Sequence, residues 1–300
     1  MKVFITGGAG FIGTHLCKKL LTQNYTITVY DNFSNSSQEN FISAIKNKVN
    51  IISGDILDYP KLVSSMKNHD VVIHLAAKIS VPDSIKNTKS TFDTNVQGTL
   101  NVLNSCIQND VTKIIATSTA AVYQDVTTTL DETSPTLPSS PYGESKLEME
   151  KIINDFASSN KICATILRLF NVFGTGQSQE YAGVIVQFKE KINNNSPLTI
   201  YGDGSAVRDF VHVDDVTDAI ILSITHKNST YNIASGTNTS ISDLAKMMIT
   251  LSHKEIQILY KPSRPGDILY SAADITLAKT NLGFIPKISL KKGLEQFLAE

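Results

Sequence analysis

Apolar positions in the first half of the chain follow two alternating rhythms. Lys2 to Thr6, Tyr25 to Tyr30, Val49 to Ser53, Asp70 to His74, Thr112 to Ser118 and Ile162 to Leu169 are short apolar runs. They read as strands buried on both faces. Between them, apolar residues recur at helical spacing. Ile12, His15, Leu16 and Leu20 suit one face of a helix starting at Phe11, and further helices are expected over Ser90 to Gln108 and Tyr142 to Ser158. The alternation predicts an α/β fold of Rossmann type, a doubly wound parallel sheet with helices on both faces and right-handed crossovers. Ligands then bind beyond the strand C-termini.

The rhythm breaks after Leu169. Loops lengthen, and Gly202-Asp203-Gly204 and Pro262 to Gly266 punctuate the chain. Asp214-Asp215 is expected to open a helix over Val216 to Thr225, and Tyr231 to Ile233 to form a strand. Ser240 with Asp243 reads as a capping box, and Thr276 to Leu282 and Lys291 to Ala299 close the chain. The division predicted is a large domain over residues 1–169 and a smaller, mainly substrate-binding one over 170–300. Segments near 212–235 are expected to return to the first, with a cleft between the two.

The first strand leads straight into three spaced glycines, Gly7, Gly10 and Gly13, and then into a helix. Strand, glycine turn and helix is the context of a dinucleotide site. Gly7 allows the tight turn, Gly10 the approach of a pyrophosphate, and Gly13 close packing of helix on strand. The helix start offers unpaired N–H groups and a positive dipole end. Asp31 ends the second strand, where an acid meets the adenosine ribose hydroxyls. A carboxylate there repels a 2′-phosphate, which favours NAD over NADP.

Composition narrows the class. The 300 residues carry a formal net charge of −1 and are 41% hydrophobic, enough for a sizeable core and no argument for nucleic acid or an anionic membrane. Cys17, Cys106 and Cys163 show neither metal spacing nor a disulfide framework, and are expected to be buried, reduced thiols in the cytoplasm. No run is apolar enough for a membrane span, and the start does not read as a signal peptide. His212-Val213-Asp214-Asp215 reads as a turn and helix start, so no metal is expected.

The chemistry is expected after the fifth strand. Thr117, Ser118 and Thr119 bring three hydroxyls to where a nicotinamide should lie. Tyr142 and Lys146 follow, one helical turn apart on one face. A phenol with an unperturbed pKa of about 10 is a poor base at neutral pH. A neighbouring ammonium and an oxidised nicotinamide ring both favour phenolate, so Tyr142 is expected to take a proton from a sugar or alcohol hydroxyl. Lys146 is also placed to hold the nicotinamide ribose, and Thr119 or Ser118 to orient the substrate oxygen.

These stretches together carry a resemblance. T-G-G-A-G-F-I-G, Asp31, H-L-A-A, S-T-A-A-V-Y and Y-G-E-S-K resemble the extended short-chain dehydrogenase/reductases. R-L-F-N-V-F-G (168–174), G-D-G-S-A-V-R-D-F-V-H-V-D-D (202–215) and R-P-G-D (264–267) resemble its nucleotide-sugar branch, and nearly the whole chain is similar to the UDP-glucose 4-epimerase type.

The resemblance implies roles. Phe11, Ile12, Asn32, Asp55, Ile56, Leu75, Ala76, Ala77, Asn95 and Phe170 should join the glycines, Asp31, Tyr142 and Lys146 in the NAD site, with Asp55 and Ile56 at the adenine. Asn171, Val184, Tyr201, Arg208, Arg264, Asp267, Ala272 and Thr119 should meet the nucleotide sugar. Within that set Tyr201 should stack on uracil, and Arg208 and Arg264 should clamp the phosphates, for which guanidinium forks suit. Ala272 should leave room for an N-acetyl group on the sugar. Gln124 stands where relatives usually carry Gly, which bears on loop shape. Ala120 and Ala121 stand where dehydratase relatives carry acids, which disfavours loss of water. The activity implied is C4 epimerisation of a UDP-hexose, glucose and galactose or also their N-acetyl forms, through a 4-keto sugar. The rivals are a UDP-glucuronate 4-epimerase and a non-catalytic NAD-binding regulator. A homodimer through the helices near 90–108 and 142–158 is implied by resemblance.

Overall fold

Each apolar run of the first half forms a strand in the computed structural model, which describes residues 1–45, 48–177, 183–226, 228–264 and 268–299. The order is β1 (Lys2–Thr6), α1 (Phe11–Thr22), β2 (Thr26–Asp31), α2 (Gln38–Ile45), β3 (Asn50–Ser53), α3 (Tyr59–Ser65) and β4 (Val71–His74). Then come α4 (Val81–Lys86) and α5 (Thr88–Phe92), which runs through a π turn at Asp93–Gln97 into α6 (Gly98–Gln108). β5 (Lys113–Thr119), α7 (Pro141–Asn160) and β6 (Cys163–Leu169) complete this half.

The second half is built from shorter pieces: β7 (Asn171–Phe173), α8 (Val184–Asn193), β8 (Leu198–Tyr201), β9 (Val207–His212), α9 (Val213–Ser223), β10 (Ser229–Ile233) and β11 (Asn238–Ser240). α10 (Ile241–Ser252), β12 (Ile258–Lys261), β13 (Tyr270–Ser271), a π turn at Ala278–Leu282 and α11 (Leu290–Leu298) follow.

The main sheet has seven strands in the order β10-β6-β5-β4-β1-β2-β3, all parallel. The order reverses between β1 and β4, so a crevice opens there beyond the strand ends. Alternation along each strand feeds two cores. Ile5, Val29, Ile73 and Ile115 pack with Leu16 and Leu20 of α1 and Val216 and Ile220 of α9. Phe4, Val72, Ile114 and Ile166 pack with Val102 and Leu103 of α6 and Met149 and Ile153 of α7. The later residues form a third cluster around Phe188, Leu198, Phe210 and Leu244. Its strands make one four-stranded sheet, β11-β9-β13 with β7 beside β9, and a β12-β8 pair. Residues 213–233 lie with the main sheet, although they follow the break at Leu169: α9 packs beside α1 and β10 pairs with β6.

Two element boundaries differ from expectation for local reasons. The helix expected from Ser90 begins at Thr88, because the Asn87 side chain accepts from Ser90 N at 3.3 Å and caps it. The helix expected to open with Asp214-Asp215 is capped instead by His212, whose Nδ1 accepts from Asp214 N at 3.2 Å. Asp215 turns away to accept from the backbone of Lys287 and Ile288. Among the described residues no helix is long and apolar enough to cross a membrane.

Candidate active site

The glycine loop shows why side chains are excluded from it. Gly7 has φ +69°, and a Cβ there would lie 2.5 Å from Ala76 N. At Gly13 a Cβ would lie 2.5 Å from the carbonyl oxygen of Gly8, so helix and loop touch backbone to backbone. Gly10 is different: a Cβ there would meet only Gly7 O, at 3.3 Å, and its outer side is open. Gly10 is also the N-cap of α1, with no side-chain cap and no acid in the first turn. Phe11 and Ile12 therefore begin a helix whose N–H groups and dipole remain available to an anion.

Asp31 sits beside this loop at the end of β2. One carboxylate oxygen accepts from Ala9 N at 2.9 Å and the other from Phe33 N at 2.8 Å. Burial pushes its pKa up, and the two backbone donors oppose that. Asn32 Nδ2 donates to Asp55 Oδ2 at 2.9 Å, which joins the ends of β2 and β3. Ile56 beside them is buried.

Across the crevice, His74 ends β4 in a closed chain of hydrogen bonds. Thr99 Oγ1 donates to the Asn95 carbonyl at 2.6 Å and so accepts from His74 Nε2 at 2.9 Å. His74 Nδ1 is left to accept from Thr6 Oγ1 at 2.7 Å, which assigns the tautomer from the network. Burial holds the imidazole neutral and pushes its pKa down to about 3. Leu75, Ala76 and Ala77 follow, half-buried, as the small lip of the crevice. Asn95 lies in the π turn, as functional positions often do. Its side chain accepts from Lys78 N at 2.8 Å and donates to Lys78 O and Ser145 Oγ, both at 2.9 Å. Asn95 therefore pins the lip to α7.

The residues expected to carry the reaction lie where β5 faces α7. Ser140 and Pro141 start α7, the Ser140 hydroxyl accepting from Gly143 N at 3.1 Å, and so fix the first turn that carries Tyr142. Thr119, at the end of β5, lowers the pKa of the Tyr142 phenol. Lys146 is 4% exposed and donates to the Thr117 carbonyl at 2.7 Å and to Met149 Sδ at 3.4 Å. Burial pushes its pKa down to about 8, and the charge of Glu150 opposes this. Ser118 Oγ is buried with no hydrogen-bond partner. One expectation is corrected here. Burial raises the Tyr142 pKa, Thr119 lowers it, and the Lys146 ammonium directs its N–H donors to the Thr117 carbonyl and Met149 Sδ. The chain's own groups leave the phenol above its ordinary value.

The remaining expected residues lie on the second-half strands. Phe170 is buried, bonded through its N–H to Ile233 O at 3.1 Å, with its ring centroid 6.4 Å from that of Tyr123. Asn171 Nδ2 donates to the Asp209 carbonyl at 2.9 Å. Val184 begins α8, half-buried. Tyr201 is exposed at the end of β8. Arg208 on β9 donates to Val207 O at 2.8 Å. Arg264 lies over the Tyr201 ring. Ala272 has no exposed surface, and its carbonyl accepts from Leu130 N at 2.9 Å. Asp267 lies outside the described residues. Of the three thiols, Cys17 and Cys106 are buried with pKa values pushed up to about 12, whereas Cys163 is half-buried, its sulfur accepting from Lys113 Nζ at 3.3 Å.

The chain as a whole is matched by known proteins. Residues 3–234 match the family model described as the NAD dependent epimerase/dehydratase family. The chain belongs to that family. As an epimerase/dehydratase family member it is 32% identical to the UDP-glucose 4-epimerase of Bacillus subtilis, over 100% of this chain and 95% of that one. A Thermotoga maritima UDP-glucose 4-epimerase, solved with UDP-glucose, is 34% identical with a TM-score of 0.94, covering 100% of this chain and 98% of the other. A UDP-N-acetylglucosamine 4-epimerase from Methanobrevibacter ruminantium, solved with UDP-N-acetylmuramic acid, is 33% identical with a TM-score of 0.94 and covers 99% and 97%.

The chain is an NAD-dependent epimerase of the UDP-glucose 4-epimerase type. Its own residues fit the dinucleotide: the open side of Gly10, the uncapped start of α1 and the carboxylate at the end of β2 stand together at the switch point. Sequence reasoning passed over Ala9, Thr6, Thr99, Ser145 and Glu150. Glu150 had a signal. It continues the Tyr142–Lys146 spacing by one more turn and is an acid on a face otherwise made of Met149 and Ile153.

Proposed function

We propose that this epimerase inverts C4 of a UDP-hexose, interconverting UDP-glucose and UDP-galactose. The observation that carries the reading is the pair Tyr142 and buried Lys146 on the first turns of α7, with Thr119 at the end of β5 in the same parallel sheet whose β1 leads into the dinucleotide loop. NAD, when bound, supplies the acceptor and then the donor of the hydride at C4. Tyr142 takes the proton of the 4-hydroxyl and later returns it. Thr119 holds the same oxygen, Lys146 holds the nicotinamide ribose, and the oxidised ring, when bound, favours the phenolate. The 4-keto sugar turns about its diphosphate link, which Arg208 and Arg264 hold by charge-assisted bonds. Ala120 and Ala121 offer no acid to expel water, in keeping with epimerisation rather than dehydration.

The test is direct. Purified protein with UDP-galactose and no added cofactor, followed by proton NMR, should settle to a UDP-glucose/UDP-galactose mixture without NADH building up. No conversion by protein that retains NAD would refute the proposal. UDP-N-acetylglucosamine is the second substrate to try, because the Methanobrevibacter relative is named for it. Ala272, being fully buried, lends that second substrate no direct support. The assembly that goes with this reading is a homodimer, which sedimentation tests.

A further inference from the structure

Glu150 follows Lys146 by one helical turn and Tyr142 by two, so the three share a side of α7. It is 3% exposed, and its carboxylate takes the guanidinium fork of Arg168: Nε lies 3.0 and 3.2 Å from the two oxygens and Nη2 2.7 Å from one. Arg168 is 8% exposed and stands on β6 in register with Ser118 of β5. Its Nη1 turns the other way. It donates to the Tyr123 phenol oxygen at 2.9 Å and the Glu132 carbonyl at 3.3 Å, and the guanidinium carbon lies 4.8 Å from the Tyr123 ring centre. The Tyr123 phenol in turn donates to Asn232 Oδ1 at 2.6 Å. One guanidinium thus holds both walls of the site, the helix carrying Tyr142 and Lys146 and the segment that follows Thr119. A buried ion pair is weak evidence for stability, because a well-packed apolar pair often does as well. The pair therefore needs a second reason to be here.

We infer that Glu150 and Arg168 are the positioning pair of the reaction centre: Arg168 fixes the spacing of its two walls, and Glu150 keeps negative charge one turn behind the Lys146 ammonium. The inference rests on the roles given above to Tyr142 and Lys146. The Lys146 ammonium faces the Thr117 carbonyl and Met149, with His74 from β4 and Glu150 from its own helix. His74 is neutral, so Glu150 supplies the negative charge that keeps Lys146 protonated against burial. Arg168 faces Tyr123 and Glu132 besides Glu150.

The experiment uses the whole chain with 15N-labelled lysine, the Lys146 signal being assigned by its loss in Lys146→Arg. In Glu150→Gln the Lys146 titration midpoint should fall by about one unit or more, and the alkaline limb of the kcat profile should move down with it. In Arg168→Lys the charge of Glu150 stays, so the midpoint should hold, while kcat falls about tenfold and KM for UDP-galactose changes little. Should Glu150→Gln fail to fold, Glu150→Met/Arg168→Met leaves no buried charge unpaired and carries the same readouts. An unshifted Lys146 midpoint in a folded variant lacking Glu150 overturns the inference. Wild-type protein without epimerase activity overturns instead the reading of the site, and the titration still judges the pair.

Discussion

The guanidinium carbon of Arg264 lies 3.5 Å from the centre of the Tyr201 ring. In the proposed reading that ring carries uracil and that arginine a phosphate, so the two contacts bear on one another. Base stacking and cation–π contact are of similar worth, about 1–3 and 0.5–2 kcal/mol. Arg264→Ala should weaken UDP about tenfold or more through the lost phosphate contact. Uridine has no phosphate to lose and should bind at least as tightly as before. Calorimetry with both ligands checks this, and equal weakening of both would place Arg264 at the base instead.

Tyr142→Phe removes the proton carrier and leaves the ring. Turnover should fall by about 10²- to 10⁴-fold, with retained NAD and the unfolding midpoint nearly unchanged. Lys146, with its pKa near 8, loses its ammonium as pH rises through that value, so wild-type kcat should decline on the alkaline side. A pH–rate profile flat to pH of about 10 would contradict a charged Lys146 in the reaction.

His74 makes stability depend on acid. Its folded pKa lies below its unfolded one, so between the two the unfolded chain binds the extra proton and stability is lost as pH falls. With an unfolded value of about 6.5, the loss from this group between pH 7 and pH 5 is about 2 kcal/mol. His74→Gln should remove that share of the pH dependence, which urea unfolding at the two pH values measures.

Gly13→Ala puts a methyl 2.5 Å from a backbone oxygen that has no rotamer to change. It should cost about 1–3 kcal/mol of stability and most of the bound dinucleotide. The chain has ten tyrosines and no tryptophan, so absorbance near 280 nm is weak and bound NAD stands out near 260 nm. An unchanged absorbance ratio after Gly13→Ala would argue against the backbone contact.

The first half of the fold was legible because parallel strands covered by helices on both faces read as unbroken apolar runs, and each run became a strand within a residue or so of its expected ends. The second half hid its strands. β7, β11 and β13 have only two or three residues, too few for a period to show. α3 and α4 were passed over for the same reason, although Asp58 and Ser80 cap them and prolines open them. Within the site, the glycines, Asp31, Tyr142 and Lys146 announced themselves by type and spacing. What could not be read was where each hydrogen bond goes. Lys146 is expected to act on the phenol, and its ammonium donates instead to the Thr117 carbonyl and Met149 Sδ, since a buried ammonium needs acceptors close by.

The edge strand β10 reaches the main sheet from residues 229–233, after the chain has already built β7 to β9. As the polypeptide leaves the ribosome, β6 therefore waits with one side open until that late segment arrives. A fragment ending at Leu169 would expose this unfinished edge and should aggregate, whereas one extended past Ile233 should not. For the same reason, halves cut at residue 169 cannot be traded between relatives as independent modules; the seam for any such graft runs on either side of α9 and β10.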